Sequence, residues 1–124
     1  MSNKIVLLID DETDLVEMVK FQLEKKGYKV VPAYNGKEAL DKLKDIKPDL
    51  IILDINMPTM GGLEFFNEIS TEHGQPKYPV LVLTARANLE GIFKAIEVGG
   101  FVSKPFEIDY LISEVDRITS KKQS

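Results

Sequence analysis

The chain has 124 residues, 44% hydrophobic and 29% charged, with a formal net charge of -4 and no cysteine. That is enough for one domain around one sizeable core. It excludes a disulfide framework and thiolate chemistry, it argues against direct nucleic-acid binding, which needs a basic face, and no apolar run approaches the roughly 18 residues of a membrane span.

The N-terminal segment MSNKIVLLIDDE has one lysine and an apolar run too short for a signal peptide, so the chain reads as cytoplasmic. Ile5 to Ile9 predicts a first strand. Leu15, Met18, Val19 and Leu23 recur at helical spacing and predict a first helix, which Gly27 closes as a left-handed C-cap. Lys29-Val-Val31 is a weaker strand, and Asn35-Gly36 opens a second helix on Ala39, Leu40 and Leu43. Leu50 to Leu53 predicts a third strand that runs into Asp54. Leu63, Phe66 and Ile69 mark a third helix, and Val80 to Leu83 a fourth strand. Leu89, Ile92, Phe93 and Ile96 mark a fourth helix, closed by Gly99-Gly100. Phe101-Val-Ser103 is a weak last strand, and Ile108, Leu111, Ile112, Val115 and Ile118 form a fifth helix. Residues 1–120 read as a single domain and 121–124 as a flexible tail.

Three of these strands are apolar at successive rather than alternate positions, the pattern of parallel strands covered on both faces. Five β-to-α alternations predict an α/β fold, a doubly wound, flavodoxin-like (βα)5 unit. The fully apolar strands belong in the centre and the weak ones at the edges, which gives the order 2-1-3-4-5. Ligands of such sheets bind at the carboxyl ends of the strands, where the winding reverses.

Polar groups collect at those ends. Asp10-Asp11-Glu12 follows the first strand, Asp54 ends the third, Thr84 the fourth, and Lys104-Pro105 follows the fifth. Each has an ordinary explanation: helix capping for the acids, a turn for Asp54, a backbone-bonded hydroxyl for Thr84, a surface lysine, a helix-start proline. Those explanations are independent of one another and do not account for the shared edge. Clustered carboxylates repel unless a cation intervenes, and their oxygens favour a hard ion, Mg2+ or Ca2+. A cation, an ammonium and a hydroxyl together cradle a phosphoryl group, which makes Asp54 a candidate carboxylate nucleophile.

With Asp10-Asp11, the strand-end Asp54 before Met57-Pro58 and Gly61-Gly62, Thr84-Ala85, and Lys104-Pro105-Phe106 in this order, the chain resembles the receiver domain of two-component response regulators over essentially its whole length, in the manner of the chemotaxis regulators. The resemblance implies a phosphorylatable switch. A phosphohistidine of a sensor histidine kinase or phosphotransfer protein would donate to Asp54. Asp10 and Asp11 would bind Mg2+, Asp11 more directly, joined by Asp54 and the backbone carbonyl of Asn56. Lys104 would pair with the phosphoryl oxygens, and Thr84 and Phe101 would be the switch pair. Lys104-Pro105 would be a cis peptide. Asn56 and Arg86 sit where side chains tune the adduct's lifetime. The output would be a changed face of the fourth helix, fifth strand and fifth helix, read by a downstream protein in a two-component or phosphorelay pathway. The protein would be a monomer or a weak phosphorylation-dependent dimer, and it would catalyse only its own phosphorylation and dephosphorylation.

One segment departs from the pattern. Val98-Gly-Gly-Phe101 is shorter than the stretch, often Gly-Ala-Asp-Asp before Tyr, that usually precedes the switch aromatic. His73, the only histidine, reads as a loop residue away from the acids. Two other functions compete. A Mg2+-dependent phosphatase of the haloacid dehalogenase type would place a second aspartate where Asn56 stands. A phosphate-independent pseudo-receiver adaptor would not need the acid, threonine and lysine set.

Overall fold

Runs of apolar residues without polar alternation need cover on both sides, and a parallel sheet between helices supplies it. The computed structural model describes residues 4–54, 64–65, 68–70, 77–84 and 100–121, with Thr84 and Lys121 by backbone alone. The chain runs β1 (Ile5–Ile9), α1 (Thr13–Lys25), β2 (Lys29–Ala33), α2 (Gly36–Lys42), β3 (Leu50–Asp54), β4 (Val80–Thr84), β5 (Gly100–Ser103) and α3 (Ile108–Lys121). Here α3 is the last of the five predicted helices. Of the third, residues 64–65 and 68 are helical, and the fourth lies outside the described residues.

All five strands are parallel, in the order β2-β1-β3-β4-β5, as their composition predicts. Pro32 lies in β2, an edge strand, where a missing N–H disturbs the ladder least. Register keeps the carboxyl ends level: Ile9 pairs with Leu53, Asp54 with Leu83, and Thr84 with Ser103.

Side chains alternate between two cores. Val6, Leu8, Leu50, Ile52, Leu81, Leu83 and Val102 pack with Val16, Val19 and Leu23 of α1 and Leu111, Val115 and Ile118 of α3. Leu7, Ile9, Ile51, Leu53, Val80 and Val82 pack on the other face with Ala39 of α2, Phe65 and Ile69. Each such side chain removed from water contributes about 1.5–3 kcal/mol. Asp10 and Asp54 continue the parity of Val6/Leu8 and Leu50/Ile52, and Lys104 that of Val102. Alternation therefore points all three toward the α1/α3 side.

Two expectations need adjustment. Met18 is 41% exposed, and Val16 is buried in its place. At 3.6 residues per turn Met18 stands about 100° from Val19, at the margin of a stripe centred on Val16, Val19 and Leu23. Gly100, expected to close the fourth helix together with Gly99, is the first residue of β5 and pairs with Leu81; the helix and Gly99 lie outside the described residues. A methyl group there would come within 2.9 Å of Arg117 Nη2 and 3.3 Å of Leu81 Cδ1, so glycine lets α3 lie close to the strand. The expected cap at Gly27 is present. Its φ is 99°, and the Gly27 and Tyr28 N–H groups donate to the carbonyls of Glu24 and Leu23. Asn35 caps α2 by accepting from the Glu38 N–H at 2.9 Å, while Glu38 accepts from Tyr34 N–H.

At the end of the sheet away from Asp10 and Asp54, Tyr28 ties the start of β2 to α3. Its hydroxyl donates to Asp116 and lies 3.2 Å from Thr119 Oγ1, and Lys4 donates to the Thr119 carbonyl at 2.9 Å. Burial, then the hydrogen bond to the Asp116 carboxylate, push Tyr28 ionisation up to about 12. The native state thus holds the phenol proton more tightly than the unfolded chain, which loses it near pH 10. The resulting stability is present below about pH 10 and is lost as pH climbs toward 12. Tyr28→Phe is expected to cost about 1 kcal/mol at neutral pH and to flatten this alkaline fall. Urea midpoints measured from pH 7 to 11.5 check it; parallel curves for the two proteins would remove Tyr28 from the titration.

Candidate functional site

β1 delivers Asp10 one residue past its end, where the Asp10 N–H still donates to the Ala33 carbonyl of β2 at 3.1 Å. The carboxylate is 0% exposed. Its Oδ1 accepts from the Glu12 N–H at 3.0 Å and its Oδ2 from Lys104 Nζ at 2.9 Å. A buried carboxylate needs such partners, because its desolvation is otherwise unaffordable. Asp54, the last residue of β3, is 3% exposed, and its Oδ2 lies 3.4 Å from the same ammonium.

Lys104 arrives from the turn between β5 and α3, and its bond to Pro105 is cis. Besides Asp10 and Asp54, its Nζ donates to Glu12 Oε1 at 3.1 Å. Burial pulls the ammonium's pKa down. The hydrogen bond to Asp10, the charges of Asp54 and Asp10, and the bond to Glu12 outweigh that and hold it well above the ordinary lysine value. Its carboxylate neighbours thus favour the charged ammonium.

Asp11, on the exposed side, completes the acidic cluster. One carboxylate oxygen from each of Asp10, Asp11 and Asp54 lies within 4.8 Å of the others. Opposite oxygens around Mg2+ stand about 4.1 Å apart and those around Ca2+ about 5 Å apart. The three acids thus suit a hard divalent cation with little movement. Charge points the same way: Asp10, Glu12 and Asp54 share the Lys104 ammonium, and Asp11 adds a further carboxylate beside Asp10 and Asp54.

The structure brings Asp10, Asp11, Asp54 and Lys104 together, as the strand-end pattern predicts. Thr84 ends β4 on the same rim, beside Ser103 in register. Phe101 lies in β5 opposite Val82, partly buried against the core on the α2 side, on the opposite face from Lys104. Asn56 and Arg86 lie outside the described residues, as does His73. Sequence reading assigned Glu12 to capping and solvating α1. Its backbone does occupy the N-cap, but its side chain makes no capping bond and reaches Lys104 instead. Nothing in periodicity flags that contact, which exists only once β1 and the β5–α3 turn are neighbours.

The family model described as "Response regulator receiver domain" matches residues 6–116. Among curated proteins, the alkaline phosphatase synthesis transcriptional regulatory protein PhoP of Bacillus subtilis is 36% identical over 106 residues, 84% of this chain and 43% of that protein. The probable transcriptional regulatory protein TcrX of Mycobacterium tuberculosis is 35% identical over 109 residues, covering 86% and 46%. The chain thus spans under half the length of these relatives. Among solved structures, the chemotaxis response regulator CheY4 of Vibrio cholerae superposes with a TM-score of 0.83 at 34% identity, over 94% of this chain and 99% of that one. The response regulator protein TrrA of Thermotoga maritima, solved in complex with Mg2+-BeF, gives 0.79 at 34% identity, over 93% and 98%.

Removing one partner of a buried ion pair leaves the other uncompensated, at a cost of about 3 kcal/mol or more. Lys104→Ala is expected to destabilise the metal-free protein by about that amount, because Asp10 loses its cation. Urea denaturation in the presence of a chelator measures it. An unchanged midpoint would mean that Asp10 does not depend on the contact.

Proposed function

Because the chain belongs to the family of response regulator receiver domains, we propose that it is a phosphorylatable signalling switch whose acceptor is Asp54. The observation that carries this reading is the convergence of Asp10, Asp54 and Lys104. One ammonium stands 2.9 Å from the first carboxylate and 3.4 Å from the second, beside the cluster that includes Asp11.

An Asp54 carboxylate oxygen attacks phosphorus. The bond from phosphorus to the donor's leaving atom breaks, whether that atom is a histidine nitrogen of a kinase or phosphotransfer protein or the acyl oxygen of a small acyl phosphate. The leaving group departs with the bonding electrons, and Asp54 becomes an aspartyl phosphate. Asp10, Asp11 and Asp54 would hold Mg2+, with the Asn56 carbonyl joining them on the family resemblance alone. That ion, when bound, offsets charge on the transferring group. Lys104, held cationic by its surroundings, meets the phosphoryl oxygens and orients them.

The adduct adds about -2 charge and strong acceptor oxygens at the rim. Thr84, at the end of β4, is the hydroxyl that answers them, and Phe101, in the neighbouring strand, is the side chain that follows. The downstream reader is a protein that prefers the face so produced. Residues 1–120 act as the receiver unit. That the similar response regulator TrrA of Thermotoga maritima is solved in complex with Mg2+-BeF supports this reading. Asn56, where a phosphatase would need a carboxyl acid, weighs against turnover of phosphate esters.

Incubation with acetyl phosphate and Mg2+ is expected to give a single phosphoryl adduct by mass spectrometry, abolished in Asp54→Asn; labelling that persists in the mutant moves the acceptor elsewhere. Mg2+ titration followed by NMR shifts is expected to weaken at least about tenfold in Asp11→Ala. An unchanged titration takes Asp11 out of the metal shell.

A further inference from the structure

Lys104 makes three carboxylate contacts: Asp10 at 2.9 Å, Glu12 at 3.1 Å and Asp54 at 3.4 Å. An ammonium has three N–H donors and no more. The ammonium donates hydrogen bonds to Asp10 and Glu12 and stands beside Asp54 as an ion pair; on the phosphoacceptor reading, on which this inference rests, a group arriving at Asp54 brings new acceptor oxygens that compete with these contacts for its donors.

The three contacts differ in how readily they yield. Asp10 is fully buried, so losing its cation leaves a charge that water cannot reach. Asp54 carries the incoming group itself. The Glu12 side chain is 63% exposed, so water replaces the ammonium at small cost. Glu12 also lines an open groove of about 440 Å³ with Leu15, Met18, Pro105 and Phe106, which leaves its side chain room to swing aside. Its backbone is meanwhile fixed by the N–H bond to Asp10 Oδ1, and its carboxylate is not engaged in capping α1.

We infer that Glu12 is the displaceable counter-ion of Lys104: it holds the ammonium in the resting state, surrenders it to the phosphoryl group, and so sets how readily that group is accepted. It is a positioning residue, acting through Lys104. Neither the acidic pair nor Asp54 can do this, because each is committed to the site in both states.

The test is a titration of the protein with fluoroberyllate in the presence of Mg2+, comparing wild type, Glu12→Ala and Glu12→Asp. Aspartate keeps the charge but is one methylene shorter, and at an N-cap it turns toward the helix N–H groups. Both variants are expected to bind about two- to fivefold more tightly than wild type, the scale of an exposed ion pair, and the gap is expected to narrow as salt rises. A merely structural role for Glu12 would not produce that salt dependence. Unchanged affinity in both variants, with normal binding by wild type, overturns this inference alone. So does tightening in Glu12→Ala with none in Glu12→Asp, which would reduce Glu12 to a source of negative field. Wild-type protein that takes up no fluoroberyllate overturns the phosphoacceptor reading and this inference together.

Discussion

The structure turns on one contact, the ion pair between Lys104 and a carboxylate that water does not touch. Asp10 is 0% exposed, and its cation comes from 94 residues away. Burying both groups is expensive, and the attraction between them offsets that cost only when geometry is good and the remaining valences are satisfied. Here they are: Asp10 Oδ1 takes the Glu12 N–H, and Lys104 takes three carboxylate oxygens. Such a pair adds little net stability relative to a hydrophobic replacement. What it does is fix position. It pins the β5–α3 turn to the end of β1 across two intervening strands, and it places a cation within reach of Asp54.

The sheet makes that contact reachable. The order β2-β1-β3-β4-β5 sets β3 between β1 and β4, so Asp54 stands between the Asp10 end of the rim and the Thr84 end. Parallel pairing aligns every carboxyl end, and the alternation of side chains turns Asp10, Asp54 and Lys104 to the same face. β5 lies in register with β4, Gly100 beside Leu81 and Ser103 beside Thr84. Val102 is level with Leu83 and Asp54, and Lys104 follows two residues later, just past the end of the strand. Gly100 contributes by letting Arg117 and Glu114 of α3 approach the strand. Phe101, in β5, packs on the α2 side of the sheet, while Lys104, just past the end of β5, meets Asp10 and Asp54.

Much of this is legible in the residues because strong physical signals carry it. Unbroken apolar runs reveal the central strands, a proline-bearing weak run marks an edge, and Asn35 and Gly27 announce a helix start and stop. The acids, Thr84 and the lysine fall at strand ends, so the order of strands is enough to assemble them. Glu12 is different. Its role depends on a partner 92 residues away, and a glutamate at a helix start has a sufficient local explanation. Met18 and Val16 exchange places because helical spacing gives the stripe's period but not its width. Gly100 is read as a terminator because glycine pairs often are, while in the structure it begins β5.

Charge decides how such a site behaves as a switch. Among the described residues, Lys104 meets the carboxylates of Asp10, Glu12 and Asp54, with Asp11 beside the first and last of them, and an incoming phosphoryl group would be an anion too. A divalent cation offsets part of that, and a fixed lysine offsets more. Lys104 cannot help by changing protonation, because its neighbours hold it cationic. It can only redistribute its hydrogen bonds. On the proposed phosphoacceptor reading, the ammonium's part in the two states differs in which acceptors it serves, not in its own charge. In the structure the buried Asp10 takes its cation from Lys104, and that contact holds the ammonium at the rim beside Asp54.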